Sequence, residues 1–203
     1  MTESSIVAVV YQDLADAYAE LSSESASPKA VRQSFTNFVD LSQKLTSHMR
    51  KEYSEKKEKP WVASDFGGWN DVTELFKQLR NDDQHDRPVS ILVDEAQYFR
   101  VSAEGATEIA LSGTWSFSLG DQLADTPRDD LRLELADPKT GRPSGRFVSP
   151  TRKEYEFHLS PSSKKAELLL TKIGNPNVRT LSENCFAVLT DYYRYYKRQL
   201  AQS

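Results

Sequence analysis

The chain has 203 residues, 28% of them charged and 38% hydrophobic, with a formal net charge of -4 at pH 7. That length allows one good core, or one domain carrying a sizeable insertion, and three Trp, nine Tyr and nine Phe argue against disorder throughout. The slight acidity excludes a cationic coat, so any contact with nucleic acid must come from a local patch.

Helical periodicity opens the chain. Ile6, Val10, Leu14, Ala17 and Leu21 recur at spacings of three and four and line one face of a first helix. Ser22 to Ser27 is a polar break, after which Ser27 as cap and Pro28 in the first turn start a second helix. Val31, Phe35, Phe38, Leu45 and Met49 form its stripe, and it runs to the segment Lys56-Lys57-Glu58-Lys59-Pro60. The charges from Arg50 to Lys59 are interleaved with Glu52, Glu55 and Glu58, which suits ion pairs along the helix. Pro60 and Gly67-Gly68 mark a loop, with Trp61, Phe66 and Trp69 pinning it to the core. In the third helix Asn70 is the cap, Asp71 and Glu74 suit the positive end of the dipole, and Val72, Leu75, Phe76 and Leu79 give the buried face. Pro88 disfavours helical geometry at Arg87, so this helix ends close to His85.

From Val89 the period changes to alternation. Trp115, Phe117 and Leu119, then Leu131, Leu133 and Leu135, then Tyr155, Phe157 and Leu159 read as half-buried antiparallel strands. Gly105, Gly113, Gly120 and the loop Asp137-Pro138-Lys139-Thr140-Gly141 supply turns, and Asp137 to Arg146 forms a long polar loop. A short helix near Ser163 to Ile173 closes at Gly174-Asn175-Pro176. The last helix opens on Thr180-Leu181-Ser182-Glu183, a capping-box pattern. Its apolar stripe is Leu181, Cys185, Val188, Leu189, Tyr192 and Tyr196. Tyr192, Tyr193, Tyr195 and Tyr196 fit core and rim positions with polar tips, or platforms on which bases stack.

The fold class this predicts is α+β. Residues 1–88 and 175–203 make a bundle of four helices, and 89–174 an antiparallel β-rich insertion with a short helix, between the third and fourth. A helical N-terminal half beside a β-plus-helix C-terminal half is the alternative arrangement.

One cysteine, Cys185, cannot form an internal disulfide, and with only His48, His85 and His158 beside it the chain lacks the ligands of a zinc ribbon or finger. No metal or cofactor is expected. The start Met1-Thr2-Glu3-Ser4-Ser5 lacks the basic start and apolar run of a signal peptide. The apolar runs fall far short of the ~20 residues that span a bilayer. The expectation is a cytoplasmic protein with no membrane partner. Phosphate-cradling glycine loops are missing, Ser112-Gly113 lacks the nucleophile-elbow pattern, and the apolar setting of Cys185 disfavours nucleophilic catalysis.

One segment is chemically specific. Arg80-Asn81-Asp82-Asp83-Gln84-His85 gathers a fixed cation, an amide and an imidazole at the end of the third helix. Histidine titrates nearest neutrality and can exchange a proton with a ribose hydroxyl. Arginine offers a planar fork that matches phosphate oxygens and stabilises charge growing in a transition state. Asn81 and His85, four apart, share a helix face, whereas Arg80 stands about 140° from His85 in an ideal helix. Asp82, Asp83 and Asp86 surround the motif with negative charge.

The spacing of Arg80, Asn81 and His85, set in an apparent four-helix bundle, resembles the signature of the HEPN superfamily (higher eukaryotes and prokaryotes nucleotide-binding). The resemblance implies a metal-independent endoribonuclease, often part of toxin–antitoxin or antiviral defence systems. RNA would be its substrate, a cognate antitoxin or other protein its partner, and a homodimer would place two motifs across a shared cleft. In that reading His85 handles the proton of the ribose 2'-hydroxyl, Arg80 holds the scissile phosphate and Asn81 positions them. The β region from Val89 to Ser160 has no counterpart in the minimal family bundle.

Other readings of the same residues stay open. Arg80 to Arg87 also fits a solvated helix end, with His85 capping its carbonyls. His48 suits a structural or surface role, and His158 faces away from Phe157 and Leu159, toward solvent. The alternative function is a non-catalytic, dimerising binding module whose β region recognises a protein or small ligand.

Overall fold

The computed structural model of the chain describes residues 5–23, 27–61, 66, 68–84, 89–101, 108–118, 132–137 and 139–202, with the side chains of Phe117 and Ser118 excepted. Within them lie five helices and two antiparallel sheets. The elements run α1 (Ile6–Ser22), α2 (Pro28–Lys57), α3 (Asp71–Gln84), β1 (Val89–Arg100), β2 (Glu108–Ser118), β3 (Leu133–Ala136), β4 (Pro143–Val148), β5 (Arg152–Pro161), α4 (Lys164–Ile173) and α5 (Val178–Ala201). The fold is α+β, with helices flanking the strands at both ends.

Capping fixes where the helices begin. Ser5 accepts from the Val7 amide and Ser27 from the Ala30 amide, with Pro28 in the first turn of α2. Asn70 Oδ1 accepts from the amides of Val72 and Thr73 at 3.1 and 3.2 Å, while Thr73 Oγ1 accepts from the Asn70 amide at 3.0 Å. Ser163 caps α4, and Gly174, at φ 75°, ends it in the left-handed region that glycine enters without strain. The last helix differs from its expected start. It begins at Val178, because Asn177 accepts from the amides of both Arg179 and Thr180, which places the Thr180–Glu183 pattern inside the first turns.

The expected helical stripes are buried except at Ile6 of α1, which is 58% exposed while Val7 beside it turns inward, and at Val188 of α5, which is half-buried. Helices α1, α2 and α5 touch one another, and α3 packs on α2, α5 and α4. Phe76 meets Phe35 and Phe38 edge-on at 5.8 and 5.4 Å between centroids, and burying each such ring contributes about 1.5–3 kcal/mol. Trp61, Phe66 and Trp69 gather around the buried Tyr192 at 5.5, 4.3 and 5.8 Å, and Trp61 Nε1 donates to the Tyr192 hydroxyl. Those three aromatics thus anchor the chain between α2 and α3, as their pattern predicts.

Strand β1 lies between β2 and β5, with Val93 opposite Trp115 on one side and Phe157 on the other. The inner face carries Val89, Ile91, Val93, Phe157 and Leu159, which join the helical side chains in one continuous core, together with Ala166 and Leu169 of α4. The β3–β4 ribbon is a separate sheet. It departs from expectation: Pro143 to Arg146, assigned to a polar loop, belong to β4. Strand pairing through Leu133↔Val148 and Glu134↔Phe147 overrides the polar composition there. Gly67, Pro88, Gly105, Leu119, Gly120, Leu131 and Pro138 lie outside the described residues.

Candidate functional site

The last turns of α3 carry the motif. Val72, Leu75, Phe76 and Leu79 hold the inner face of the helix in the core, and the same periodicity decides where the next side chains point. Arg80 and Asn81 are half-buried at the rim, Asp82 is buried, and Asp83 and Gln84 are exposed. His85, the expected proton-transfer group, lies outside the described residues, as do Asp86 and Arg87.

Arg80 reaches across to α2, where its Nε donates to Asp40 Oδ1 at 3.2 Å, the Arg80 side chain being 30% exposed. An ion pair this open to water contributes little stability; its consequence is orientation. With Nε engaged, the two terminal nitrogens form the edge of the guanidinium that suits a bidentate oxyanion. Asp40 was not among the residues the sequence singled out, since nothing local links positions 40 residues apart.

Asp82 behaves differently from its acidic neighbours. It is 2% exposed and accepts from Gln78 Nε2 at 2.8 Å and from the Ser163 hydroxyl. Ser163 also accepts the Ala166 amide, so Asp82 stands at the start of α4 and is tied to its cap. Two donors and the positive end of a helix compensate this carboxylate. Its charge is therefore turned inward, away from the rim occupied by Arg80, whereas that of Asp83 remains at the surface.

No known protein family, curated protein or solved structure matches the chain. The resemblance to HEPN proteins thus rests on the three motif residues and the helical pattern.

The remaining candidates take structural places. His48 is half-buried on α2. His158 is on the outer face of the sheet, as alternation requires, yet half-buried, with Nε2 3.5 Å from Glu156 Oε2 and 3.8 Å from Asp94 Oδ2. Among the described residues, no group of three or more His, Cys, Asp or Glu side chains is placed to hold a metal ion. Tyr192 and Tyr196 are buried and Tyr193 and Tyr195 half-buried, which matches core and rim. Lys51–Glu55 and Lys56–Glu52 pair along α2. No described helix is long and apolar enough to cross a membrane.

Cys185 is 1% exposed, and burial pushes its thiol far above the usual range. A thiol-specific disulfide reagent at pH 8 should therefore leave the native protein unlabelled and titrate one thiol per chain after denaturation. Rapid labelling of the native protein would contradict this.

Two carboxylates set an acid limit on stability. Burial raises the Glu52 carboxyl, but the Lys56 amine, the Ser5 hydroxyl and the neighbouring Tyr196 phenol outweigh it and hold it below its ordinary 4.5. Burial likewise raises Glu74, and Lys165 and Lys77 outweigh it. In both cases the folded state binds the proton less tightly than the unfolded chain does. Their contribution is therefore complete above about pH 4.5 and is lost as pH falls through the lowered folded values. Urea melts should show a lower midpoint at pH 3.5 than at pH 6, and the drop should shrink in Glu52→Gln/Glu74→Gln; an equal drop in that variant would oppose the assignment.

Proposed function

We propose that the end of α3 is the active edge of a metal-independent endoribonuclease of HEPN type. Arg80 holds the scissile phosphate, His85 takes the proton of the 2'-hydroxyl, and Asn81 orients the pair. The 2'-oxygen attacks phosphorus, the bond to the 5'-oxygen breaks and that oxygen takes a proton from water, and the products carry a 2',3'-cyclic phosphate and a 5'-hydroxyl. The observation that supports this most is the placing of Arg80: a partly exposed guanidinium, braced by Asp40, while Asp82 beside it is buried and compensated. The mutual packing of α1, α2, α3 and α5, with the β region inserted after α3, is consistent with the family bundle. A homodimer, a defence or toxin–antitoxin setting and a cognate antitoxin belong to the same proposal. Purified protein should cut mixed RNA in the presence of chelator, and His85→Ala should not; equal cutting by that variant would sink the reading.

A second reading, a non-catalytic module that binds a protein or small ligand, draws on the β region. Phe147 on β4 is 58% exposed, and Ile109 and Leu111 on β2 are also exposed, which suits a contact surface. That reading gains if RNA is untouched and Phe147→Ser abolishes capture of a partner, and it loses its basis if Phe147→Ser changes no interaction.

A further inference from the structure

The sheet β2–β1–β5 has two edges, and they differ. Along β5 the Leu159 amide donates to the Pro176 carbonyl at 2.8 Å, and Asn177 bridges to His158. Arg152, Lys153, Glu154 and Glu156 charge the rest of that strand, which opposes pairing by a further strand.

The opposite edge has none of these devices. Strand β2 follows β1 through eleven consecutive pairs without a register shift, so it holds no bulge. It contains no proline, and its one charged residue, Glu108, stands at the first position and pairs with Arg152. Side chains from Glu108 to Ser116 are exposed, except that Trp115 is half-buried. Among the described residues no strand lies on the far side of β2. Its outward N–H and C=O groups are a template for one more strand.

The sequence of β2 complements itself. Let two copies run antiparallel about a two-fold axis at Gly113. Leu111 then lies opposite Trp115 of the second copy, on the face that is apolar in both. On the other face Ala110 lies opposite Ser116, and Ser112 opposite Thr114. Apolar groups meet apolar ones, small side chains meet small ones, and no like charges meet. A slip of one residue would turn the apolar face of one copy toward the polar face of the other, so the pattern fixes the register.

We propose that β2 is a homodimerisation strand, two copies joining antiparallel about Gly113 to make one continuous six-stranded sheet. Eleven residues on each side supply about ten backbone hydrogen bonds. The pairing takes nothing from the α3 motif and stands whether or not that motif cleaves RNA.

Gly113 offers the test, because a Cβ there meets nothing within 4 Å in its own chain. The single chain therefore accommodates a side chain that the axis sets against its own copy. Sedimentation equilibrium of the full-length protein should give twice the mass of one chain. Gly113→Glu should weaken association about tenfold, because like charges then meet at the axis, each beside Glu95 of β1. Under mild oxidation Gly113→Cys should cross-link two chains, its Cα atoms lying about 4.5–5.5 Å apart. Ala110→Cys, exposed on the same strand, lies about 20 Å from its copy and should not. Cys185 is buried and does not compete. A monomeric wild type, no cross-link in Gly113→Cys, or equal cross-linking of Ala110→Cys would overturn the proposal. So would a dimer that survives Gly113→Glu unchanged, which is built on another surface and leaves the nuclease reading untouched.

Discussion

Arg80→Ala should slow RNA cleavage by about 10²–10³-fold, the loss typical when one preorganised donor to a developing oxyanion is removed. Arg80→Lys should recover only a minor part, because an ammonium offers a point charge where the guanidinium offers a fork. Asp40 provides the control on geometry. Its 3.2 Å contact holds Nε and so aims the other two nitrogens; Asp40→Asn should cost several-fold, well short of losing the arginine itself. His85→Ala removes the proposed proton acceptor and should cost about 10²–10⁴-fold. Initial rates on a defined RNA, with helical content checked by circular dichroism, measure all four. A folded Arg80→Ala variant with wild-type rate would remove arginine from the mechanism.

Asp82→Ala should be the most damaging change at the end of α3 for stability. The carboxylate joins the last turn of α3 to the cap of α4, across 81 residues of sequence. Its removal leaves the Ser163 hydroxyl and Gln78 amide without their acceptor in a site closed to water, at about 1–3 kcal/mol for each group left unpaired. A total of about 2–6 kcal/mol lowers the melting temperature of a chain this size by roughly 4–24 °C. Ser163→Ala loses the cap as well as the hydrogen bond to Asp82 and should cost about 1–2 kcal/mol. Asp83→Ala, at the exposed neighbouring position, should stay within about 0.5 kcal/mol. Equal melting of Asp82→Ala and wild type would mean that Asp82 is not compensated as described.

The helices were legible because their signals are local. Phe35, Phe38, Leu45 and Met49 repeat at helical spacing, and Ser27-Pro28 and Asn70 are caps that act within three residues of themselves. The same locality misleads at α5. Thr180-x-x-Glu183 has the right spacing for a cap, but Asn177, three residues earlier, takes the first amides. Strand β4 was hidden for a related reason: Pro143, Ser144, Gly145 and Arg146 form a strand through cross-strand pairing that no alternation announces.

The site was legible only as a string of residue types. Sequence spacing names Arg80 and Asn81, while Asp40 and Ser163 meet the motif through contacts 40 and 81 residues away. Two adjacent aspartates look alike in sequence, yet helical phase buries Asp82 and exposes Asp83.

The most direct test of the nuclease proposal compares one RNA with its 2'-O-methyl counterpart, incubated with the protein in chelator. Attack by the ribose 2'-oxygen predicts cleavage of the RNA to fragments ending in 2',3'-cyclic phosphate, and none of the methylated strand. Cutting both strands equally, or neither, would contradict a site in which His85 takes a 2'-hydroxyl proton and Arg80 holds the phosphate.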